Sequence, residues 1–464
     1  MQAPLPQYAL AQLWALTGLP QQALEHIHLE GDDPILPSTF AVGSAAQASL
    51  AASALAAATL WHQRTGNWPD VRINMRHAAI ECRSERYLLV DGAPPPDPWD
   101  KLAGAYRCGD GRWVRLHTNF PHHRDGVLAL LGCANERASV AEALLNWQAE
   151  AFETAASERG MVVAAMRSFA EWDAHPQAAA IAALPTFTLE QIGDAPVQAL
   201  PAGDRPLSGI KVLDLSRVIA GPVCGRTLAA HGADVLMITS PRLPAIPLLV
   251  MDTGRGKRSA ALDLTQAAEQ AQLLQLLAHT DIFMQGYRPG GMNDMGLGPE
   301  ALAALRPGLV YVSLSAYGHQ GPWAHKRGFD SLVQTAMGFN HAESSAAGEA
   351  APKPLPMQVL DHASGYLMAL GAMAALHRRA TIGGSWHVRV SLAQTAHWLR
   401  QLGRLPDGLQ APDISAAEAQ PYCETAPSGF GQLTAVRHAA VLSGLPPHWS
   451  LPAVPLGHDP AAWW

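Results

Sequence analysis

From residue 205 onward, apolar runs of strand length alternate with helical patterns, and no other feature of the sequence restricts the fold as tightly. Lys211-Val212-Leu213-Asp214-Leu215 and Asp234-Val235-Leu236-Met237-Ile238 read as strands, with a helix over 221–231 between them. A helix over 265–279 then precedes Asp281-Ile282-Phe283-Met284 and Leu309-Val310-Tyr311-Val312-Ser313-Leu314, again strands. Parallel strands need crossover connections, which these helices supply, so the pattern predicts an α/β fold with helices packed on an open parallel sheet. Ligands of such sheets bind outside the carboxyl ends of the strands.

The first 200 residues are patterned differently. Residues 7–30 and 44–64 read as helices, 102–117 as a hairpin turning at Gly109-Asp110-Gly111, and 124–181 as helical again. Asp194-Ala195-Pro196 and Pro201-Ala202-Gly203-Asp204-Arg205-Pro206 form a turn-rich linker near residue 200. The expected division is a helical segment at 1–84, a smaller α+β domain at 85–200, and the sheet domain with a C-terminal tail at 205–464.

Composition narrows the setting. With 48% apolar and 15% charged residues, the chain can build a core and does not read as disordered. Ala45–Leu60 comes closest to a lipid span, but Gln47, Ser49, Ser53 and Thr59 interrupt it and mark a packed helix. A net charge of −7 leaves no footprint for nucleic acid. Cys82, Cys108, Cys133, Cys224 and Cys423 form no C-x-x-C pair, which argues against zinc and a stapled fold and for a reducing cytoplasm. Met1-Gln2-Ala3-Pro4-Leu5-Pro6 has neither the basic start nor the apolar run of an export signal. Pro121-His122-His123 and His175-Pro176 lack metal-ligand spacing, so they read as structural or solvent-facing and no metal is expected.

One internal echo bears on the domain count. Ala48–His62 lies without gaps on Ala363–His377, matching at Ala48, Ser49, Ala54, Leu55, Ala57 and His62, and Val71-Arg72-Ile73 then echoes Val388-Arg389-Val390. Alanine-rich helices also match by chance, so duplication and coincidence both stand. In this register Ala46 falls opposite Asp361.

Familiar nucleotide and hydrolase motifs are missing. Gly221-Pro222-Val223-Cys224-Gly225 follows the first strand but is not G-x-G-x-x-G, and neither G-x-x-x-x-G-K-[ST] nor G-x-S-x-G occurs. Gly254-Arg255-Gly256-Lys257-Arg258-Ser259 combines an approachable backbone with cations, which suits a phosphate and equally suits a solvated basic loop.

Taken together, several segments resemble the class III coenzyme A transferase family, also called CaiB/BaiF. The likeness opens at Leu207-Ser208-Gly209-Ile210-Lys211-Val212-Leu213-Asp214-Leu215-Ser216-Arg217-Val218-Ile219-Ala220-Gly221-Pro222 and continues through Gly232-Ala233-Asp234-Val235. The Gly-Lys-Arg-Ser stretch, Tyr287-Arg288-Pro289-Gly290, Ser315-Ala316-Tyr317-Gly318, Gly321-Pro322, Gly328-Phe329-Asp330 and Asp361-His362-Ala363-Ser364-Gly365 follow in the family's order. The resemblance implies an open Rossmann-like parallel-sheet domain with a second, smaller α+β domain. It implies an acyl-CoA:carboxylate CoA-transferase with coenzyme A as co-substrate, an acyl-CoA donor, a carboxylic acid acceptor and, by the family's interlocked dimer, a homodimer, unless the N-terminal portion stands in for the second subunit.

By the same resemblance Asp361 is the nucleophile, forming a mixed anhydride and then an aspartyl-CoA thioester; capping the helix it starts is its other role. Val218, Arg242, Lys257, Arg258, Tyr287, Arg288 and Arg327 are assigned to coenzyme A, and Ile219, Tyr317 and Asp330 to the substrate pocket. Backbone N–H groups at the helix start are expected to hold the tetrahedral oxyanions.

The chain also departs from the family pattern. Met237-Ile238-Thr239 stands where Lys-x-Glu is common, Gly286 replaces an Asn, Ile219 stands where some members place a polar residue, and the Gly-rich lid has no counterpart, Gly383-Gly384 reading as a turn. Segment order is rearranged: Gly104–Val114 and Glu171–Gln177 resemble family segments that normally follow the sheet domain, Leu451–Gly457 resembles the closing segment, and 404–450 carries no motif. Two alternatives keep the fold: a catalytically silent CoA-binding or scaffolding homologue, and an α-methylacyl-CoA racemase, which Phe329 in place of a histidine base disfavours.

Overall fold

Seven strands form the central sheet, in the order Lys257–Ala261, Asp234–Thr239, Lys211–Leu215, Ile282–Gln285, Val310–Ser315, Ser385–Ser391 and Phe187–Gly193. The first six run parallel and the last is antiparallel to its neighbour. The structure is a computed structural model and describes residues 5–464; Met1–Pro4, part of the stretch weighed as an export signal, lie outside the described residues. Chain order reverses between Lys211–Leu215 and Ile282–Gln285, because the chain winds outward from the first strand in one direction and then in the other. Crossovers depart to opposite faces there and leave a crevice at the carboxyl ends. Val212, Leu213, Val235, Leu236, Phe283 and Val312 are buried, as strands covered on both faces require.

The smaller α+β unit pairs the hairpin Gly104–Arg107 and Trp113–Leu116 with Val163–Ala165. The helices Pro121–Leu131, Arg137–Leu144 and Ala149–Glu158 belong to this unit, whose separate core includes Tyr106, Val114, Val140 and Phe152.

Two 24-residue helices, Val42–Thr65 and Val359–Ile382, pack against each other through the middle of the protein. Each ends at a glycine, Gly66 or Gly383, and each is followed by a strand and a helix: Val71–Asn74 with Met75–Glu81, and Ser385–Ser391 with Leu392–Gln401. The echo in sequence is therefore also an echo in element order. Polar groups inside the first helix are satisfied locally: Ser49, Ser53 and Thr59 donate to carbonyls three or four residues back, and Gln47 donates to Glu30 O and Ile73 O. Among the described residues Val359–Ile382, rather than the stretch at 45–60, is the helix long and apolar enough to cross a membrane, but its apolar stretch is buried inside the protein.

Several elements differ from expectation. Pro20 stops the first helix pattern, leaving Leu5–Ala15 as helix and then a 3-10 turn, Gln21–His26, and a strand, Ile27–Glu30. Val163–Ala165 is too short to show a period. Phe187–Gly193, N-terminal to the linker, joins the large sheet, so that sheet is not confined to residues after 205.

The basic stretch at 254–259 is the sharpest correction. Lys257 and Arg258 begin an edge strand of the sheet, and Lys257 is only 2% exposed. Its Nζ donates to Asp214 Oδ2 at 2.8 Å and to Pro222 O at 2.8 Å, while Asp214 Oδ1 accepts Ser216 N–H at 2.9 Å. A lysine so engaged is held inside the fold and does not reach a nucleotide. Lys257→Met strands Asp214 as a buried, unpaired carboxylate and is expected to lower the unfolding free energy by about 3–5 kcal/mol in urea titration. Adding Asp214→Leu should recover most of that loss.

Candidate active site

Where the strand Lys211–Leu215 ends, Asp214 holds Ser216, and the chain reaches Val218 before the helix Ala220–Ala230 begins. Val218 has φ 72°, and a β-branched residue in the left-handed region costs of order 1–3 kcal/mol. That strain is retained at the mouth of the crevice, where Val218 lines two cavities.

The first cavity, about 500 Å³, lies at the carboxyl ends of the central strands and is lined in part by Arg217, Tyr287, Arg288, Lys326 and Arg327. The smaller unit covers it with Phe120, His122 and His123. The second, about 310 Å³, is lined in part by Glu85, Trp99, Ile219, Ile246, Leu249 and Asp330. Among the described residues only Val218, Phe329 and Asp361 line both.

Asp361 sits in the first turn of Val359–Ile382, with 7% of its surface exposed. Its N–H donates to Asp330 Oδ2 at 2.9 Å, and the Leu360 N–H also donates to the Asp330 carboxylate. Gln334 Nε2 donates to the other Asp330 oxygen. Asp330 thus caps the helix from a different element, and the N–H groups expected to hold an oxyanion are already engaged. Burial pushes the Asp361 carboxyl well above the usual carboxylate range, and the neighbouring Asp330 and Glu85 charges push it further. Burial likewise raises Asp330, to about 6, against the hydrogen bonds it accepts. Two acids in one dry site titrate as a pair. Next to them His362 Nε2 lies 3.2 Å from Glu85 Oε2.

The other assigned residues divide clearly. Val218, Tyr287, Arg288 and Arg327 line the first cavity, and Ile219 and Asp330 line the second. Arg288 pairs with Asp294 at 3.0 Å and Arg327 reaches Gly160 O at 3.4 Å. Lys257 is inside the fold, paired with Asp214. Arg258 lies over the Trp464 ring at 4.0 Å, and Arg242 pairs with Asp263 at 2.7 Å; neither lines either cavity. Tyr317 is 1% exposed, packs edge-on against Trp323 at 4.9 Å and lines neither cavity.

Residues without an assignment take their places. Arg217 donates to Pro244 O and lies over Phe120 at 5.1 Å; Lys326 donates to Glu153 at 2.8 Å. Arg217 lies within the segment quoted in the resemblance and Lys326 beside the assigned Arg327, which is the signal that could have found them. His122 and His123, read as structural or solvent-facing, line the first cavity, and burial pushes His123 down to about 3, so it enters neutral. Gly286 opens the cleft further: a Cβ there would meet Leu314 and Ser216 only at 3.9 Å. Among the described residues no His, Cys, Asp and Glu cluster could hold a metal ion.

Comparison with known proteins gives the context for this geometry. The model of CoA-transferase family III matches residues 9–203 and again 207–439. An "Acyl-CoA transferase" of Gibberella moniliformis is 29% identical over 80% of this chain and 72% of its own. The "Probable fatty acyl-CoA transferase Rv3272" of Mycobacterium tuberculosis is 32% identical over 53% of this chain and 67% of its own. The "Succinyl-CoA:glutarate CoA-transferase" of Mus musculus is 31% identical over 39% of this chain and only 43% of its own. A crystal structure of Rv3272 superposes with a TM-score of 0.40 and 34% identity over 43% of this chain and 56% of that one. Because the superposition spans less than half of the chain, the assignment rests on the sequence matches. With the family model covering both halves, this chain belongs to CoA-transferase family III.

Proposed function

We propose that this protein is an acyl-CoA:carboxylate CoA-transferase in which Asp361 is the nucleophile. The observation that carries the reading is the position of Asp361 at the junction of a cation-lined cleft and a largely apolar chamber. Coenzyme A is a polyanion, and Arg217, Arg288, Lys326 and Arg327 line the first cavity, whereas among the described residues Arg86 is the only Lys or Arg lining the second. The pantetheine arm therefore enters through the first, with Tyr287 beside the adenine, and the acyl group passes Asp361 into the second. Relatives named as CoA-transferases of succinyl-CoA with glutarate, D-citramalate and L-malate support a carboxylate acceptor.

In this reading the Asp361 carboxylate attacks the thioester carbonyl, the C–S bond breaks, and a mixed anhydride and CoA thiolate result. The thiolate attacks the aspartyl carbonyl, releases the donor acid and leaves an aspartyl-CoA thioester. An acceptor carboxylate repeats the two steps in reverse, so CoA leaves as a new thioester and Asp361 is regenerated. Both intermediates hydrolyse, so the site must stay dry. Gly383 and Gly384 lie beyond the far end of the helix that Asp361 begins, and the shielding falls instead to the walls that residues 94–99 and Phe120 supply.

Those walls come from the same chain. The homodimer implied by the resemblance gives way, in this proposal, to a site that the N-terminal half completes in cis. The free thiols of Cys82, Cys108, Cys133, Cys224 and Cys423 fit a reducing cytoplasm.

Incubation with acyl-CoA and hydroxylamine is expected to give a hydroxamate at Asp361, mapped by mass spectrometry and missing from Asp361→Asn; CoA binding without modification would favour the silent homologue. Because Asp361 must be ionised to attack, and its pKa is raised, kcat/KM should fall as pH drops through a range above that of an ordinary carboxylate. Asp330→Asn removes one of the repelling charges and should move that limb to lower pH. The ionised pair also opposes folding above its raised pKa, so Asp361→Asn should unfold about 1 kcal/mol less readily than wild type at pH 8. That difference should vanish once both carboxyls are protonated.

A further inference from the structure

The second cavity carries a selectivity that the family assignment does not state. Resting on the proposed reading, we infer that this chamber accepts the apolar acyl group of a monocarboxylic acid and rejects dicarboxylic acyl groups. Much of its wall is hydrocarbon: Leu248 and Leu249 from the helix Pro247–Thr253, Ile246 before it, Ile219 at the start of Ala220–Ala230, Phe329, and Trp99 at the end of a proline-rich segment. Trp99 is 43% exposed, an apolar surface at the edge of the chamber.

Charge points the same way. Besides Asp361, the carboxyl groups of Glu85, Asp97 and Asp330 line the chamber, against the single guanidinium of Arg86. Arg86 is partly offset by the neighbouring Glu85, its Nε lying 3.9 Å from Glu85 Oε1. His117 stacks on Phe329 at 4.0 Å and, being buried, adds no positive charge. A second carboxylate on the substrate would lose its water among acidic side chains that outnumber the one cation, Arg86, lining the chamber among the described residues. An alkyl or aryl chain instead gains from every methylene taken out of water.

The test separates acyl recognition from chemistry. Asp361→Asn, which cannot form the covalent intermediates, is titrated calorimetrically with CoA, octanoyl-CoA and succinyl-CoA. Octanoyl-CoA should bind at least about tenfold tighter than CoA, and succinyl-CoA no tighter than CoA. Leu249→Arg in the same background should weaken octanoyl-CoA and strengthen succinyl-CoA, each measured relative to CoA in that variant. Should that variant not fold, competition against octanoyl-CoA by free octanoate and by succinate gives the same ranking without it. Succinyl-CoA binding as tightly as octanoyl-CoA, or tighter, overturns the inference yet leaves the transferase reading intact. Failure of wild type to form the Asp361 hydroxamate from any of these esters overturns the reading itself, and loss of CoA binding altogether overturns both.

Discussion

The site depends on two carboxyl groups sharing one buried helix start. A helix N-terminus leaves N–H groups unpaired, and a single aspartate there ordinarily satisfies them. Here Asp330 does so from outside the helix, accepting from Leu360 and Asp361. The capping role is filled, so the Asp361 side chain is left to face the two cavities. The same arrangement supplies the repulsion that holds its proton more tightly. A carboxylate that is desolvated and crowded is less available but, once ionised, poorly stabilised by its surroundings, which favours attack on a carbonyl over rest.

Elsewhere the protein confines charge by pairing it. Asp214 with Lys257, and Asp252 with Arg226 at 2.9 Å, are ion pairs from which water is excluded. Ser84 Oγ also donates to Asp252 at 2.6 Å, tying the N-terminal half to the sheet domain. Such pairs contribute little net stability compared with apolar packing, but losing one member is costly, so they fix which segments must meet. Arg217, Arg288 and Arg327 on the first cavity are different in kind, bound to a carbonyl or to a single exposed carboxylate, and can turn toward a ligand, whereas Lys326 is held by the buried Glu153.

This difference explains how far the site could be read from sequence. The β-α-β order gave the sheet and its crevice, and the segment 207–222 led to Val218 and Ile219, because both are local properties of the chain. Lys257 could not be placed that way: a basic loop and the first residue of a buried strand look alike until Asp214, 43 residues away, is known to lie 2.8 Å from it. Tyr317 has the same history, its ring taken up by Trp323 in a core that no period announces. Glu85 and Trp99 carry no motif at all, and reach the site only because the long helices bring the N-terminal half against the catalytic one.

The elements beyond that packing favour duplication over chance. A coincidental match of alanine-rich helices predicts nothing about the elements beyond them, whereas here each 24-residue helix leads through a glycine to a strand and a further helix, and the family model matches both halves. In the proposed reading the halves differ in function. Ala46 has no group able to attack a thioester, and Gln47 beside it is committed to two backbone carbonyls, so the first copy is fixed as packing. Freed from chemistry, the segment beyond its helices supplies Glu85 and Trp99 to the site that Asp361 serves. In the proposed reading a repeat without a nucleophile can still shape its sibling's substrate, because the residues that recognise an acyl chain need only contact it.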